Sequence, residues 1–281
     1  MRRGDSMIVP QLNDSKPLHV HPISMKAAAL GLAALALLSS APALADGPDA
    51  DELARKTLRA DAFAWEGART RLRMVLIEKD GERRERAMEV VARRHQGLLQ
   101  TRVRFLAPRD LAGTAFLMRE KKGAPSEQWI YLSGLKRTRR IVGREREGSF
   151  MGSDFTYADM QRVDPRYTAQ KRLDDAKVGS TETYVLETTI DAKSGSAYGK
   201  LVTWVRKSDF VALRTRFYDK SGKLVKTLYA RKVKKLEGKP VVVEARMQSE
   251  GGHATELIIE GMERRDDLDD DLFSPNALER F

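Results

Sequence analysis

Apolar side chains recur at every second position over most of this chain. Leu72, Met74 and Leu76 alternate with Arg71, Arg73 and Val75. Asp80-Gly81 follows, and Met88, Val90 and Ala92 return on one phase. A period of two puts alternate residues on one face, and Asp-Gly favours a tight turn, so the stretch reads as a β-hairpin. Thr101, Val103 and Phe105 carry the alternation on towards Pro108. "GTAFLMRE", with Phe116 and Met118, and "EQWIYLS", with Trp129 and Tyr131, are two more short strands. The rhythm resumes with "ETYVLETTI", "GKLVTWVRK" (which holds Trp204), "FVALRTRFYDKSGKLVKTLYARKV", "PVVVEARMQS" and "ATELIIEGM". Turns at Ser194-Gly195, Ser221-Gly222, Glu237-Gly238 and Gly251-Gly252 separate them. One short helix is predicted over 49–61, capped by Asp49 or Asp51, with Leu53 and Leu58 near one face. The tail, "DDLDDDLFSPNALERF", reads as an acidic turn and a short capped segment.

This pattern predicts a mainly β domain, an antiparallel meander of about ten to twelve strands. Many strands have one polar face. A single sheet of that length must curl on itself or hide its apolar face. The expected architecture is a curved sheet or incomplete β-barrel. The N-terminal helix and an insert over 133–165 would cover its concave face. Aromatics are only 7% of the chain, so Leu, Val, Ile and Met must line most of the interior. Methionine suits irregular apolar ligands, because it is flexible and polarizable. An ordinary packed core fits the same pattern, and both readings stay open.

The insert breaks the rhythm. It begins with the basic run "LKRTRRIVGRERE" and continues as "GSFMGSDFTYADM", residues 148–160. Phe150, Met151, Phe155, Tyr157 and Met160 fall in it at spacings of neither a strand nor a long helix. Gly148 and Gly152 would permit sharp turns, and Asp154 and Asp159 would cap local helical turns.

From Met25 the chain runs "MKAAALGLAALALLSSAPALA", with a positive Lys26, an apolar stretch and an A-x-A end at Ala43-Leu44-Ala45. That is the three-part form of a secretory signal peptide, cleaved after Ala45. Its apolar stretch is too short for a bilayer span, which needs about 20 residues. Residues 1–24 look like a spurious N-terminal extension. The mature domain is then 46–281, with no transmembrane segment, and the compartment is the periplasm. Removing 1–45 takes away four basic and two acidic residues and lowers the charge from +11 to +9. There is no cysteine, hence no disulfide framework and no thiol for a lipid anchor.

Catalytic chemistry is thinly supplied. The mature chain has two histidines, His95 and His253, in no metal-ligand spacing. Ser153 and Asp154 lack a nucleophile-elbow motif. Asp266, Asp267, Asp269, Asp270 and Asp271 lack the register and turn glycine of a calcium loop and read as a solvated turn. No enzyme, metal or cofactor is expected. The basic run, Arg137, Arg139 and Arg140 above all, is expected to meet lipid headgroups or an acidic partner, or else to decorate a strand edge. Export argues against nucleic acid.

The stretch "EQWIYLSGLKRTRRIVGREREGSFMGSDFTYADM" resembles a signature of periplasmic outer-membrane lipoprotein-sorting proteins of the LolA-like type. "VRFLAPRDLAGTAFLMRE" and the tail "DLFSPNALERF" resemble the same family, so the likeness runs from about residue 50 onward. It is similar to the uncharacterised branch found beside inner-membrane RND-type exporters. Ser133 stands where that family often has proline after Tyr131-Leu132. The resemblance implies an incomplete barrel whose apolar cavity holds the acyl chains of lipids or lipoproteins. The ligand-facing set it implies begins with Leu72, Met74, Leu76, Met88, Val90 and Phe105. Phe116, Met118, Trp129, Tyr131 and Trp204 continue it, with the insert's Phe150, Met151, Phe155, Tyr157 and Met160. A monomeric carrier is expected. The alternative is an accessory module that docks on an RND-type exporter without a ligand of its own.

Overall fold

The computed structural model describes residues 47–60 and 67–280. The cleavage site at Ala43 and Ala45 lies outside those residues. One 13-stranded sheet dominates the fold, and its paired strands run antiparallel. The first six strands are β1 (Ala68–Ile77), β2 (Arg83–His95), β3 (Leu98–Ala107), β4 (Ala115–Lys121), β5 (Ala124–Leu132) and β6 (Arg137–Arg140). After the insert come β7 (Thr168–Val178), β8 (Thr181–Ile190), β9 (Tyr198–Arg206) and β10 (Ala212–Asp219). The last three are β11 (Leu224–Leu236), β12 (Lys239–Ser249) and β13 (Ala254–Arg264).

The apolar alternation accounts for all of these except β6 and β7. Both are edge strands. β6 is four residues of "RTRR", and β7, "TAQKRLDDAKV", has no fully buried side chain. An edge strand with little to bury needs no apolar phase, so periodicity does not reveal it.

The order across the sheet is β6-β5-β4-β3-β2-β1-β13-β12-β11-β10-β9-β8-β7. Every neighbour is a sequence neighbour except β1 and β13, which pair from Ala68↔Arg264 to Ile77↔Ala254. That pairing leaves β6 and β7, consecutive in sequence, at opposite edges. The segment 141–167 must therefore cross from one edge to the other.

The crossing reports the curl. Gln128 on β5 donates to Tyr157 O at 2.9 Å, and Tyr198 on β9 donates to Asp159 Oδ1 at 3.0 Å. β5 and β9 are nine steps apart in the sheet, or ~43 Å if it were flat, at ~4.8 Å per step. Tyr157 and Asp159 are separated by at most ~7 Å of chain. The sheet is rolled, and the insert lies on its concave face.

Helix α1 (Ala50–Arg59) covers another part of that face. Asp49 caps it, its carboxylate accepting from Glu52 N at 2.7 Å. Leu53 is fully buried against Leu186 of β8 and Val205 of β9. The tail covers the convex face instead. Phe273 and Leu278 pack on Val91, Ala115, Leu117 and Tyr131. Arg93 stacks over the Phe273 ring at 4.4 Å, donates to Leu268 O at 2.8 Å and pairs with Asp270.

Phe273→Ala is expected to lower stability by about 3 kcal/mol in urea denaturation, the usual loss for a buried phenylalanine. Hydrogen-exchange protection across 148–160, on the opposite face, should not change.

Candidate functional site

The insert is built from short 3₁₀ turns at Gly143–Glu147, Tyr157–Met160 and Pro165–Tyr167. Between the first two, the chain folds back as a miniature hairpin. Ser149 bridges Thr156, and Phe150 N donates to Phe155 O at 2.7 Å. Its tip is left-handed at Met151 (φ 53°) and Gly152 (φ 78°). Gly152 serves the turn expected of it. Gly148 does not, since its φ is −68°, which any residue adopts. The Ser153 hydroxyl belongs to the same turn, donating to Phe150 O at 2.8 Å and accepting from Phe155 N at 3.3 Å.

This fold points the apolar side chains down onto the sheet. Phe150 lies 5.3 Å from Phe116 and 5.4 Å from Tyr157, both edge-on, and 6.1 Å from Phe105. Phe150, Phe155 and Tyr157 join one buried cluster with Leu72, Met74, Leu76, Met88, Val90, Phe105, Phe116 and Met118. Met151 and Met160 pack against it, half-buried. Ala92, Leu99, Val103, Ile130, Ile141 and Met247, which were not in the predicted set, complete it.

A polar perimeter holds the insert down. Asp159 is the hub. One carboxylate oxygen accepts from the Tyr198 hydroxyl, and the other accepts from Lys226 Nζ and from Thr156 N. The Lys226 and Asp159 side chains are only 7% and 6% exposed, so the ion pair is closed to water. Lys226 also donates to Asp154 O at 3.1 Å and sits 5.3 Å from the Tyr198 and Phe217 ring centres. The Asp154 carboxylate accepts from Thr255 Oγ1 at 2.7 Å. Across the face, the Arg86 guanidinium binds Met151 O. Burial, then the Asp159 charge, pushes the Tyr198 phenol well above its usual range. Burial also raises that of Tyr157.

Asp159 does cap its turn, because Thr156 and Asp159 form a reciprocal capping box. Asp154 instead ties the insert to β13. Sequence reasoning missed Tyr198, Lys226 and Thr255. The last two left a signal: Lys226 stands in phase with Leu228 on β11, and Thr255 in phase with Leu257 and Ile259 on β13. A polar residue at a buried strand phase asks for a partner.

Three predicted lining residues lie elsewhere. Ile130 is the β5 residue opposite Phe116, so Trp129 and Tyr131 point to the convex face. There Tyr131 packs under the tail, and Trp129 is flanked by Arg119 at 4.8 Å and Arg140 at 5.7 Å. Trp204 packs with Val185 and Val202 under Arg214, 3.7 Å from its ring centre. The neighbouring phase, Val205, is the one that meets α1. Arg139 pairs with Glu145 at 2.8 Å and Arg140 with Glu127 at 3.2 Å, whereas Arg137 is exposed on the β6 edge. His95 and His253 are about half exposed, beside Asp270 and Glu78 respectively.

A family described as "Uncharacterized protein"-like matches residues 97–280. A domain from Vibrio parahaemolyticus, named as an outer membrane lipoprotein-sorting protein, superimposes with a TM-score of 0.76 at 29% identity. That match covers 82% of this chain and 98% of that one. A DUF1329 family protein from Desulfovibrio piger gives 0.76 at 24% identity, covering 83% and 100%. A LolA superfamily protein from Nitrosomonas europaea gives 0.66 at 20% identity, covering 82% and 100%; these last two speak for the fold. No curated protein matches the chain.

Lys226→Met leaves Asp159 buried without its cation, and losing one member of a buried pair typically removes about 3–5 kcal/mol. Urea denaturation should show that loss, and adding Asp159→Asn should restore part of it. The raised Tyr198 phenol makes a second expectation. Its contribution is complete below the unfolded value of 10.0 and is lost as pH rises above it. Tyr198→Phe should therefore reduce the fall in stability measured between about pH 10 and pH 11.

Proposed function

We propose that this chain, which belongs to a family described as uncharacterised protein and shares the fold of an outer membrane lipoprotein-sorting domain and a LolA superfamily protein, is a periplasmic carrier. It shields the acyl chains of a lipid or lipoprotein on its concave face during transfer towards the outer membrane. One observation carries the reading. The roof over that face is a crossing segment held by side-chain contacts at its perimeter, not a strand of the sheet. It can lift without breaking a ladder.

Magnitudes favour such an exchange. Fully burying an apolar side chain is worth about 1.5–3 kcal/mol. The buried Phe150, Phe155 and Tyr157 and the half-buried Met151 and Met160 together are then worth ~6–12 kcal/mol. A chain of ~16 carbons gains ~13 kcal/mol, at ~0.8 kcal/mol per methylene. An acyl chain and the insert's side chains are thus near-equal occupants of one face. A carrier needs that balance, because it must match a membrane's hold on the chain and still release it.

A second reading, an accessory module that docks on an inner-membrane RND-type exporter, is favoured by the closeness with which the insert already packs. Native mass spectrometry and solvent extraction of the purified protein separate the two. The carrier reading expects a bound lipid or acylated peptide, and a Met151→Asp, Phe155→Asp variant should retain less than a tenth of it. Protein that stays empty when offered lipid in mixed micelles would leave the docking module standing.

A further inference from the structure

Half of the basic run that stands out in the sequence is answered within the fold, whereas Lys136, Arg137 and Arg144 stay exposed. Arg139 and Arg140 meet Glu145 and Glu127, and Arg146 donates to Ser126 O at 2.6 Å. A second group of exposed cations lies at the far end of β11 and β12. These strands pair from Lys226↔Ser249 to Leu236↔Lys239. β10 follows β11 only as far as Tyr229, and β13 pairs with β12 only from Glu244 onward. Residues 230–243 therefore form a two-stranded ribbon that outruns both neighbours.

The ribbon carries Arg231, Lys232, Lys234, Lys235 and Lys239, all exposed, against one carboxylate, Glu237, between positions 231 and 239. Lys232 pairs with Glu244 at 3.0 Å. Among the described residues, Arg231, Lys234, Lys235 and Lys239 have no ion pair. The base is firm, since Val241 and Val243 are buried with Ala68 against Leu236, Ile259 and Met262. These cations stand on a fixed arm, not on a loose loop.

We propose that the β11–β12 ribbon, through Arg231, Lys234, Lys235 and Lys239, docks the protein on an anionic phospholipid bilayer surface. Three of the four are lysines, compact point charges without the fork that reads a carboxylate or phosphate in two places. Residues 230–243 contain no aromatic side chain to stack on a nucleic-acid base. By strand alternation Lys234 and Lys239 share one face of the ribbon and Lys235 the other. Charge wrapped around a tip suits a diffuse negative field better than a shaped partner surface. Lys226, under the insert, lies nine residues before Lys235 on the same strand, ~30 Å along it. A docked ribbon leaves the roof uncovered. The proposal stands whether or not a ligand binds beneath that roof.

Vesicle co-sedimentation tests it, using the purified protein with vesicles of phosphatidylglycerol and phosphatidylcholine in equal parts, and with phosphatidylcholine alone. Binding is expected to the anionic vesicles only, and it should fall steeply as salt rises. Each basic residue near such a surface contributes about fivefold, so Lys234→Gln with Lys235→Gln should lower the partition coefficient roughly 30-fold. Arg139→Gln with Arg140→Gln removes the same net charge and should change it less than twofold. Circular dichroism checks that both variants stay folded, and Lys239→Gln alone should give about a fivefold loss. Three outcomes overturn the proposal: unchanged binding by the lysine variant, an equal loss in the arginine variant, or no binding to anionic vesicles by the parent. Retention on a DNA oligonucleotide without vesicle binding belongs to the last and would make the ribbon a polyanion site of another kind.

Discussion

The pairing of β1 with β13 decides most of what this molecule can do. When the first and last strands of a meander are neighbours, the break in the sheet falls between two strands that follow each other in sequence. Here those are β6 and β7. The intervening segment must cross the face, and a segment that crosses a rolled sheet becomes a roof. Long connections without their own ladder are uncommon inside compact domains. This one is imposed by topology. It satisfies its backbone locally, through 3₁₀ turns and the Ser149–Thr156 bridge, and so needs no strand to lie on.

The same break leaves two open edges, which invite unwanted pairing. β6 is short and arginine-rich. β7 carries Asp174 and Asp175 at an irregularity in its pairing with β8. Both devices discourage another strand from adding on. They also explain why these strands were invisible to periodicity. The interior strands were legible because burial of one face imposes a two-residue phase, as with Leu72, Met74 and Leu76. Phase alone does not say which face is concave. The family resemblance places Trp129, Tyr131 and Trp204 inward with the rest of its ligand-facing set. This sheet, however, has buried clusters on both faces, the convex ones under the tail and beneath Arg214. The 148–160 motif was legible as a cover, but its fastening was not. Lys226, Tyr198 and Thr255 lie on three separate strands, more than thirty residues beyond it, and only the roll of the sheet assembles them.

Charge shows the same gap between composition and structure. The excess of basic residues is a property of the chain, but its effect depends on where carboxylates fall in space. Glu127 alone receives Arg119, Lys121 and Arg140; burial works to raise its carboxyl, but Arg119 and Lys121 together outweigh it and hold the group below the usual range. Within the 136–146 run, Arg139, Arg140 and Arg146 spend their charge inside the fold, while Lys136, Arg137 and Arg144 do not. The shorter, less conspicuous run at 231–239 keeps its charge because it outreaches its neighbours.

The roof's fastening follows from the energetics of buried ion pairs. A closed pair such as Lys226–Asp159 adds little net stability, because desolvating two charges offsets most of their attraction. It does fix geometry, since either charge left alone in the closed state is strongly unfavourable. Lifting the insert exposes both partners to water together, so opening meets little net electrostatic penalty even though each half of the pair is indispensable while the roof is shut. Apolar contacts alone would allow many packings of a segment so rich in Phe and Met. The pair, with Tyr198 and Thr255 beside it, selects one of them. The fastening therefore specifies where the roof sits without setting how tightly it holds. The holding strength is left to the apolar side chains, the contacts that an acyl chain would replace under the proposed carrier function.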